Sequence, residues 1–332
     1  MAHTRTTLPK VSIIIATHNN EGTIDECLKS VLDLNYPKEL LEVIIADGCS
    51  KDSTVKIAEK YPVKIISKPL NAPAAYNDAL KIVQNDVVGF LDSDAKVEKE
   101  WLNKLLLHLD GPEVAGVAGA IEIWNNQSLL SRCVGYDIKH RYVRLKKYAK
   151  RVATMNLLLK KAVIEEVRGF DEKLSTQYDT DLGVRITSEG YKIVFEPEAK
   201  CYHFNRPTLR QYFTQQLHYG MNTVKLYLKH SRLIKGDEIT DFWMNIQPAL
   251  FLIAILFFLF WLPVQSRSLL YAFALTMAFI LICYIYSATK LSFEFKDATA
   301  MFLVIVYFVR AFAWLMGATI TVVSFLVGEK GE

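Results

Sequence analysis

The 332-residue sequence predicts an α/β domain with a mainly parallel sheet, followed by interfacial helices and three transmembrane helices. Two patterns support this fold class. Strand-like and helix-like segments alternate over about the first ninety residues, which is typical of βαβ units and a parallel sheet. Charged residues then become rare after Ile246, where the chain turns strongly apolar.

The elements of the N-terminal half follow from local patterns of apolar residues. Four short runs rich in β-branched residues are predicted strands: Val11–Ala16, Glu42–Ala46, Val63–Ser67 and Val87–Asp92. Three intervening segments are predicted helices: Glu21–Asp33, Asp52–Tyr61 and Ala72–Val83. In such a sheet, ligands bind beside the carboxyl ends of the strands. The polar residues expected at that edge are Thr17, His18, Asn19, Asp47 and Asp92.

Three long apolar blocks follow the globular part of the chain: Ile246–Val264, Leu269–Ala288 and Ala298–Val327. A bilayer core needs about 20 apolar residues of helix, and each block reaches that length. No signal peptide precedes the first strand, so we expect a multi-pass cell-membrane protein with a cytoplasmic N-terminal domain. The predicted division is a catalytic domain at residues 1–200, an amphipathic interfacial segment at 201–244 and a transmembrane domain at 245–332.

Two basic stretches are predicted to lie on the membrane surface. Residues 139–151 and residues 199–236 each contain seven Lys or Arg and no acidic residue, mixed with aromatic and aliphatic side chains. This composition favours an anionic bilayer face. Nucleic acid is the alternative partner, but three spans and a net charge of +4 argue against it. Within the third block, Arg310 either binds a polyprenyl phosphate or an anionic headgroup, or it snorkels or contacts another helix. A helix break at Gly317 would place it near an interface.

A pair of acids marks the end of the fourth strand, where Asp92 and Asp94 follow a short apolar run. One carboxylate at such a position can hold a ribose or order the loop. The other can reach a divalent cation on a diphosphate, because hard cations prefer oxygen ligands. A solvated turn is the alternative interpretation of this pair.

Several motifs in order resemble the family-2 inverting glycosyltransferases with the GT-A fold, a Rossmann-like nucleotide-sugar domain. Residues 12–19 resemble the opening strand of that family, and residues 47–54 resemble its D-G-S-x-D-x-T turn with Cys49 inserted. Residues 169–172 and 178–182 resemble its G-F-D-E and E-D-x-D-L motifs. The similarity covers about residues 10–220, and the ordered set is more specific than any single motif.

The resemblance implies roles for individual residues. A nucleotide sugar would contact Thr17, Asn19, Glu21, Asp47, Asn77, Asp92 and Ser93. Asp94, together with His203, would hold Mg²⁺ or Mn²⁺ on the donor diphosphate. Asp179 matches the family's general base, with a structural helix cap as the alternative. Tyr178 departs from the family pattern, in which glutamate is usual at this position.

A further segment bears on the acceptor. Residues 215–219 resemble the Q-x-x-R-W box of processive cellulose, chitin and hyaluronan synthases, with His in place of Arg and Tyr in place of Trp. An amphipathic interfacial helix is the alternative, and both interpretations can hold together. The residues expected near the acceptor or the diphosphate are Gln215, Gln216, His218, Tyr219 and Asn156.

The function predicted from these features is that of a metal-dependent inverting hexosyltransferase. It would move a hexose from a nucleotide sugar to a lipid-linked acceptor, a glycolipid or a polyprenol-linked saccharide, at the cytoplasmic face of the membrane. GDP-mannose is the chosen donor, although no residue type here separates guanine from uracil. The alternatives are a polyprenyl-phosphate hexose synthase, a short-chain polysaccharide synthase using a UDP-sugar, and a non-catalytic nucleotide-sugar sensor.

Overall fold

The chain divides into two compact units in the computed structural model, which describes residues 8–328. Among these residues, the first unit contains residues 8–124 together with residues 145–204. The second contains residues 125–144 together with residues 205–328. Residues 125–144 thus group with the C-terminal helices, which a single boundary at residue 200 does not anticipate.

A mixed sheet forms the first unit. Within the described residues its nine strands are β1 (Val11–Thr17), β2 (Leu41–Asp47), β3 (Lys64–Ser67), β4 (Val87–Asp92), β5 (Ala95–Val97), β6 (Val114–Ile123), β7 (Tyr148–Ala149), β8 (Leu157–Lys160) and β9 (Lys192–His203). The spatial order is β3-β2-β1-β4-β8-β6-β9-β5, and β7 pairs with β9. Strands β3, β2, β1 and β4 are parallel as predicted, whereas β8 is antiparallel to β4 and β6. The sheet is therefore parallel over its first four strands and mixed beyond them.

Eleven α-helices accompany the sheet within residues 8–328. They are α1 (Ile24–Leu32), α2 (Thr54–Ala58), α3 (Ala72–Leu80), α4 (Trp101–Leu106), α5 (Leu129–Val143), α6 (Lys161–Glu166), α7 (Tyr178–Ser188), α8 (Leu209–Lys229), α9 (Phe242–Val264), α10 (Arg267–Phe295) and α11 (Leu303–Val327). The three predicted helices of the N-terminal half all form, each a few residues shorter than expected. For α3, the Asn71 side chain accepts a hydrogen bond from the Ala74 amide at 3.1 Å and caps the first turn.

The core of the first unit explains why its parallel strands are so apolar. Both faces of β1 and β4 are covered, so Ile13, Ile14, Ile15 and Phe90 are all fully buried. Tyr76 of α3 stacks on Phe170 at 5.2 Å between ring centroids and meets Phe90 edge-on at 5.3 Å. These aromatic contacts hold α3 against the sheet beneath the edge where β1, β2 and β4 end.

The second unit contains the apolar blocks as helices. Three segments are long and apolar enough to cross a membrane: Phe242–Val264, Arg267–Phe295 and Ala298–Val327. The last of these starts with a short 3₁₀ turn and continues as α11 without a break at Gly317. Gly317 instead permits a close helix contact, because a Cβ atom there would lie 2.2 Å from the Leu217 carbonyl oxygen of α8.

Arg310 of α11 makes a contact between helices. It is only 4% exposed, and its Nη1 donates a hydrogen bond to Asp137 Oδ2 of α5 at 3.0 Å. Its guanidinium lies 4.7 Å from the ring centroid of Tyr307, whose hydroxyl also donates to Asp137. A buried charge needs a partner of this kind. The helix-contact interpretation of Arg310 therefore describes the structure, and the same pair explains why α5 belongs to the second unit.

Candidate active site

The strand ends β1, β2 and β4 line up because the strands pair in register. Thr17 lies opposite Asp47, and Ala16 lies opposite both Ala46 and Asp92. A cleft of about 160 Å³ opens at this edge. Its walls include Thr17, His18, Asn20, Gly48, Leu70, Asp92, Ser93, Asp94 and Tyr178.

Two loops frame the cleft and are tied together by side chains. The backbone N–H of Asn19 donates a hydrogen bond to Ser50 Oγ at 2.8 Å, and the side-chain oxygen Oδ1 of Asn19 accepts one from the backbone N–H of Lys51 at 2.7 Å. Glu21 Oε2 accepts from the Ser53 amide at 2.9 Å. Asn19 and Glu21, both predicted to bind the nucleotide sugar, thus connect the loop after β1 to the loop after β2. Their contact with a ligand stays a prediction.

Asp47 and Thr17 lie side by side where β2 and β1 end. Asp47 is 1% exposed, and its carboxylate accepts hydrogen bonds from Ser50 Oγ at 2.5 Å and Ser67 Oγ at 2.6 Å. Thr17 is also buried, yet its Oγ1 has no hydrogen-bond partner among residues 8–328. An unsatisfied buried hydroxyl costs about 1–3 kcal/mol. A bound ligand would relieve that cost, so Thr17 points to a ligand in the cleft.

Asp92 is held at the end of β4 by two hydroxyl groups. Its Oδ1 accepts from Tyr76 Oη at 2.9 Å and from Thr154 Oγ1 at 3.1 Å. Burial and the neighbouring Asp94 charge raise the pKa of Asp92 to about 6, against the Tyr76 hydrogen bond, which lowers it. The Tyr76 and Thr154 hydroxyl groups therefore orient the Asp92 carboxylate. An added positive charge nearby would lower its raised pKa.

Asp94 and His203 meet through the pairing of β5 with β9, in which Ala95 lies opposite His203. The Asp94 Oδ1 atom lies 3.6 Å from His203 Nε2, and both residues are only 7% exposed. A carboxylate and an imidazole are suitable ligands for a divalent cation whose other positions are filled by phosphate oxygens and water. Across the described part of the chain, no group of three or more Asp, Glu, His or Cys has metal-site spacing. The residues present therefore fit a cation that also depends on the donor diphosphate.

Asp179 lies at the second position of α7, after Gln177 as the N-cap residue. Its Oδ1 accepts a hydrogen bond from the Thr180 amide at 2.7 Å. Burial raises the pKa of Asp179, while the Arg151 charge and backbone N–H groups partly oppose that rise. The helix-cap alternative does not describe this residue. Asp179 is a partly buried acid with a raised pKa, and its role as general base stays a prediction.

Thr154 connects Asp92 and Asp179, and no sequence pattern predicted a role for it. It is 2% exposed, donates through Oγ1 to Asp92, and presents its backbone N–H to the Asp179 carboxylate. It stands in a 3₁₀ turn between β7 and β8, just after the basic stretch. No local pattern marks it, because its role depends on two strands that are distant in sequence.

Two predicted site residues have structural partners instead. Asn77 Nδ2 donates to the Phe170 carbonyl at 2.9 Å and to Glu172 Oε1 at 2.8 Å, and its Oδ1 accepts from the Phe170 amide. Gly169, at φ +67°, packs so close that a Cβ atom would lie 2.6 Å from Asn77 Oδ1. Asn156 is buried, and its amide bridges the Ala120 and Ala199 carbonyls. Both asparagines therefore brace the fold, and their contact with a ligand stays a prediction.

The residues of the 215–219 segment lie on α8 in the second unit. Gln216 is buried and accepts a hydrogen bond from Trp314 Nε1 at 2.8 Å, whereas His218 is exposed. Gln215 and Tyr219 are partly buried on the same helix. The amphipathic-helix interpretation holds for this segment, and contact with a diphosphate or an acceptor stays a prediction.

The parallel strands and the cleft at their carboxyl ends define a domain of the GT-A fold. Residues 12–163 match the family described as Glycosyl transferase family 2, and the chain therefore contains a domain of that family. The GT-A fold is also that of the mannosyltransferase PcManGT from Pyrobaculum calidifontis, solved with GDP-Man and Mn²⁺. That structure superposes with a TM-score of 0.61 at 18% identity, covering 96% of this chain and 88% of that one.

Two relatives that are named as glycosyltransferases support the same family. The chain is 31% identical over 242 residues to the probable glycosyltransferase YdaM of Bacillus subtilis, which covers 67% of this chain and 57% of that protein. It is 26% identical over 229 residues to a Methanococcus voltae dolichyl N-acetyl-α-D-glucosaminyl phosphate 3-β-D-2,3-diacetamido-2,3-dideoxy-β-D-glucuronosyltransferase, over 63% of this chain and 71% of that enzyme. The chain thus shares its catalytic part with these enzymes and spans little more than half the length of YdaM.

Proposed function

We propose that this protein is a membrane-bound, metal-dependent, inverting hexosyltransferase that uses a nucleotide sugar and a lipid-linked acceptor. One observation carries the proposal. Asp92 and Asp94 both border the cleft; Asp94 lies 3.6 Å from His203, and Asp92 is joined through Thr154 to Asp179. An inverting transfer needs both a site for the departing diphosphate and a separate base for the incoming hydroxyl.

The leaving-group side of the reaction would be served by Asp94 and His203. These residues would hold Mg²⁺ or Mn²⁺, and such a cation neutralises charge on the departing nucleoside diphosphate. Thr17 would satisfy its buried hydroxyl on the nucleoside, and Asp47 would lie beside it. GDP-mannose is the proposed donor, supported by the GDP-Man bound in the solved structure of similar fold.

The attacking side would be served by Asp179. Its carboxylate would accept the proton of the acceptor hydroxyl as that oxygen bonds to the anomeric carbon. Burial suits this role, because a raised pKa strengthens a carboxylate as a base. Thr154 would keep Asp179 and Asp92 in fixed relation, so that donor and base are aligned before reaction.

The acceptor is proposed to be lipid-linked and presented at the cytoplasmic membrane face. Three helices of the second unit are apolar enough to cross a bilayer, and the name of the Methanococcus voltae relative gives dolichyl N-acetyl-α-D-glucosaminyl phosphate as its acceptor. The basic stretches at residues 139–151 and 199–236 would lie on anionic lipid. Gln215, His218 and Tyr219 of α8 would then contact the acceptor or the diphosphate.

The proposal is tested by incubating the full-length protein in membranes with labelled GDP-mannose, UDP-glucose and UDP-N-acetylglucosamine and a lipid extract. We expect label from one donor in the organic phase, dependent on Mn²⁺ or Mg²⁺. Asp179→Asn should abolish that transfer while nucleotide-sugar binding persists, with Asp110→Asn as a matched control away from the cleft. Product formation on polyprenyl phosphate alone would favour the polyprenyl-phosphate hexose synthase alternative. Absence of transfer from every donor, or full turnover by Asp179→Asn, would contradict the proposal.

A further inference from the structure

Asn77 of α3 holds a distant segment of the chain, the Phe170 turn (residues 169–172). Its Nδ2 donates hydrogen bonds to the Phe170 carbonyl oxygen at 2.9 Å and to Glu172 Oε1 at 2.8 Å, and its Oδ1 accepts one from the Phe170 backbone N–H at 2.8 Å. Phe170 is buried, so these bonds satisfy backbone groups that have little access to water. The amide of Asn77 therefore fixes the Phe170 turn against α3.

Asn77 lies on a side of α3 that differs from the side at the cleft. The residues of α3 that border the cleft are Ala72 and Ala75. Each residue of an α-helix is rotated by about 100° from the one before it, so Asn77 is nearly opposite Ala75 around the helix. Both N–H groups of its amide are already used, one by Phe170 and one by Glu172. A ligand in the cleft would therefore meet α3 at the two alanines.

The Phe170 turn is attached to α7 by two contacts. The Phe170 ring lies edge-on to Tyr178, the first residue of α7, at 5.8 Å between ring centroids. Two helical turns further along, Arg185 Nη2 donates a hydrogen bond to the Gly169 carbonyl oxygen at 2.6 Å. Arg185 is itself held by the fully buried Asp181, whose Oδ2 accepts from Arg185 Nε at 2.7 Å. Two contacts this far apart fix both the position of α7 and its rotation.

The placement of Asp179 follows from that of α7, because Asp179 is the second residue of the helix. A group that takes part in a reaction needs to be held within about 0.5 Å of its productive position. A misplacement of 1 Å, even when it is caused by a change far from the chemistry, can lower the rate about a hundredfold. The connection from Asn77 through the Phe170 turn to α7 thus ends at a residue whose placement matters greatly.

We infer that Asn77 is a positioning residue for Asp179 and acts through the Phe170 turn and α7. The inference rests on the proposed function, because it takes Asp179 as the general base. It differs from the contact with the nucleotide sugar that the family motif predicts for Asn77. A residue that binds the donor sets the affinity for the nucleotide, whereas a residue that positions the base sets the rate of transfer at unchanged affinity.

The first experiment compares nucleotide affinity with the rate of transfer in full-length Asn77→Ala. Kd for GDP and for UDP is measured by calorimetry in detergent with Mn²⁺, and kcat is measured in membranes with the donors and the lipid extract named above. We expect kcat to fall at least about tenfold while each Kd changes less than about twofold. Asn103→Ala on α4 is the matched control, because its amide likewise donates to a backbone carbonyl, that of Asn35, and to a glutamate, Glu100. It should change neither quantity.

A second pair of variants tests the contact itself. Asn77→Asp keeps an oxygen for the Phe170 N–H but loses both N–H donors and places a second carboxylate beside Glu172. Adding Glu172→Gln removes that repulsion and returns an N–H donor to the contact. We expect Asn77→Asp to lower kcat at least as much as Asn77→Ala does, and the double variant to recover about threefold. Weakened GDP or UDP binding in Asn77→Ala, wild-type kcat, or no recovery in the double variant would overturn the inference.

Hydrogen exchange tests the placement of α7 without any transfer. Asn77→Ala should speed the exchange of backbone amides in α7 about tenfold while leaving those of α1 unchanged, and equal exchange in wild type and variant would also overturn the inference. Should Asn77→Ala not fold, Glu172→Ala removes one of the same hydrogen bonds from its exposed partner and gives the same comparisons. Exchange needs neither donor nor acceptor. A protein that shows this change yet transfers no sugar would refute the proposed function and leave Asn77 as the residue that positions α7.

Discussion

Replacing Thr154 with valine isolates the bridge between the two acids of the cleft. Valine is close in shape to threonine, so the change removes the hydroxyl on Asp92 while leaving the backbone N–H that faces Asp179. Thr154 is 2% exposed, so water cannot take the place of the lost donor. A hydrogen bond to a charged group contributes about 1.5–3 kcal/mol. Tyr76 still donates to the same oxygen at 2.9 Å, which places the expected loss at the lower end of that range.

The expected result for Thr154→Val is a drop of about tenfold in kcat/KM for the donor, since 1.4 kcal/mol corresponds to a factor of ten. Initial rates with membrane-embedded protein would measure it, and thermal unfolding of the same variants would show whether the fold is intact. Thr154→Ser keeps the hydroxyl and should retain most of the activity. Combining Thr154→Val with Tyr76→Phe should cost more than the sum of the single changes, because both groups orient one carboxylate oxygen. Wild-type kcat/KM for Thr154→Val, or equal loss for Thr154→Ser, would refute the bridging role.

Three further outcomes are expected from other parts of the structure. Asp94→Ala should abolish Mn²⁺-dependent binding of the nucleoside diphosphate, measured by calorimetry, and residual metal dependence would contradict its assignment. Transfer should fall as pH drops through the pKa of Asp179, and Arg151→Gln should move that acid limb to higher pH, because Arg151 lowers the pKa. An unchanged limb in the pH–rate profile would exclude the coupling. Asp137→Asn should destabilise the second unit by about 3–5 kcal/mol in detergent unfolding, whereas Asp137→Leu with Arg310→Met should be near neutral, and additive losses would refute the buried-pair argument.

Local sequence patterns were sufficient to predict the parallel half of the sheet and the three long apolar helices. The predicted strand Val87–Asp92 is observed with the same bounds, and Val11–Ala16 gains only one residue. Such runs are buried on both faces, so their identity can be read without knowing their neighbours. The apolar blocks are equally self-contained, because a membrane requires about 20 apolar residues in a row.

What the sequence did not reveal depends on contacts between distant residues. The antiparallel insertion of β8 between β4 and β6 follows from pairing over roughly forty to seventy residues, which no local period encodes. Thr154 lies within reach of Asp92 only because of that insertion. Asn77 and Asn156 are predicted to contact ligands, and the structure adds that their amides bind backbone groups that arrive from elsewhere in the chain. The roles of Asp94 and Asp179 come from the motifs and stay predictions.

The way α5 is anchored determines how the catalytic part can be isolated. The helix is encoded inside the residues that match the glycosyltransferase family, yet its buried residues Leu130 and Cys133 and its partly buried Asp137 have partners on the C-terminal helices. Ending the protein at residue 204 would remove those partners and expose an apolar surface to water, with Asp137 paired to Arg141 of its own helix. A water-soluble enzyme for crystallography or screening therefore requires that residues 125–144 be replaced by a short polar linker as well. Shortening the chain from its C-terminus alone is expected to yield aggregates.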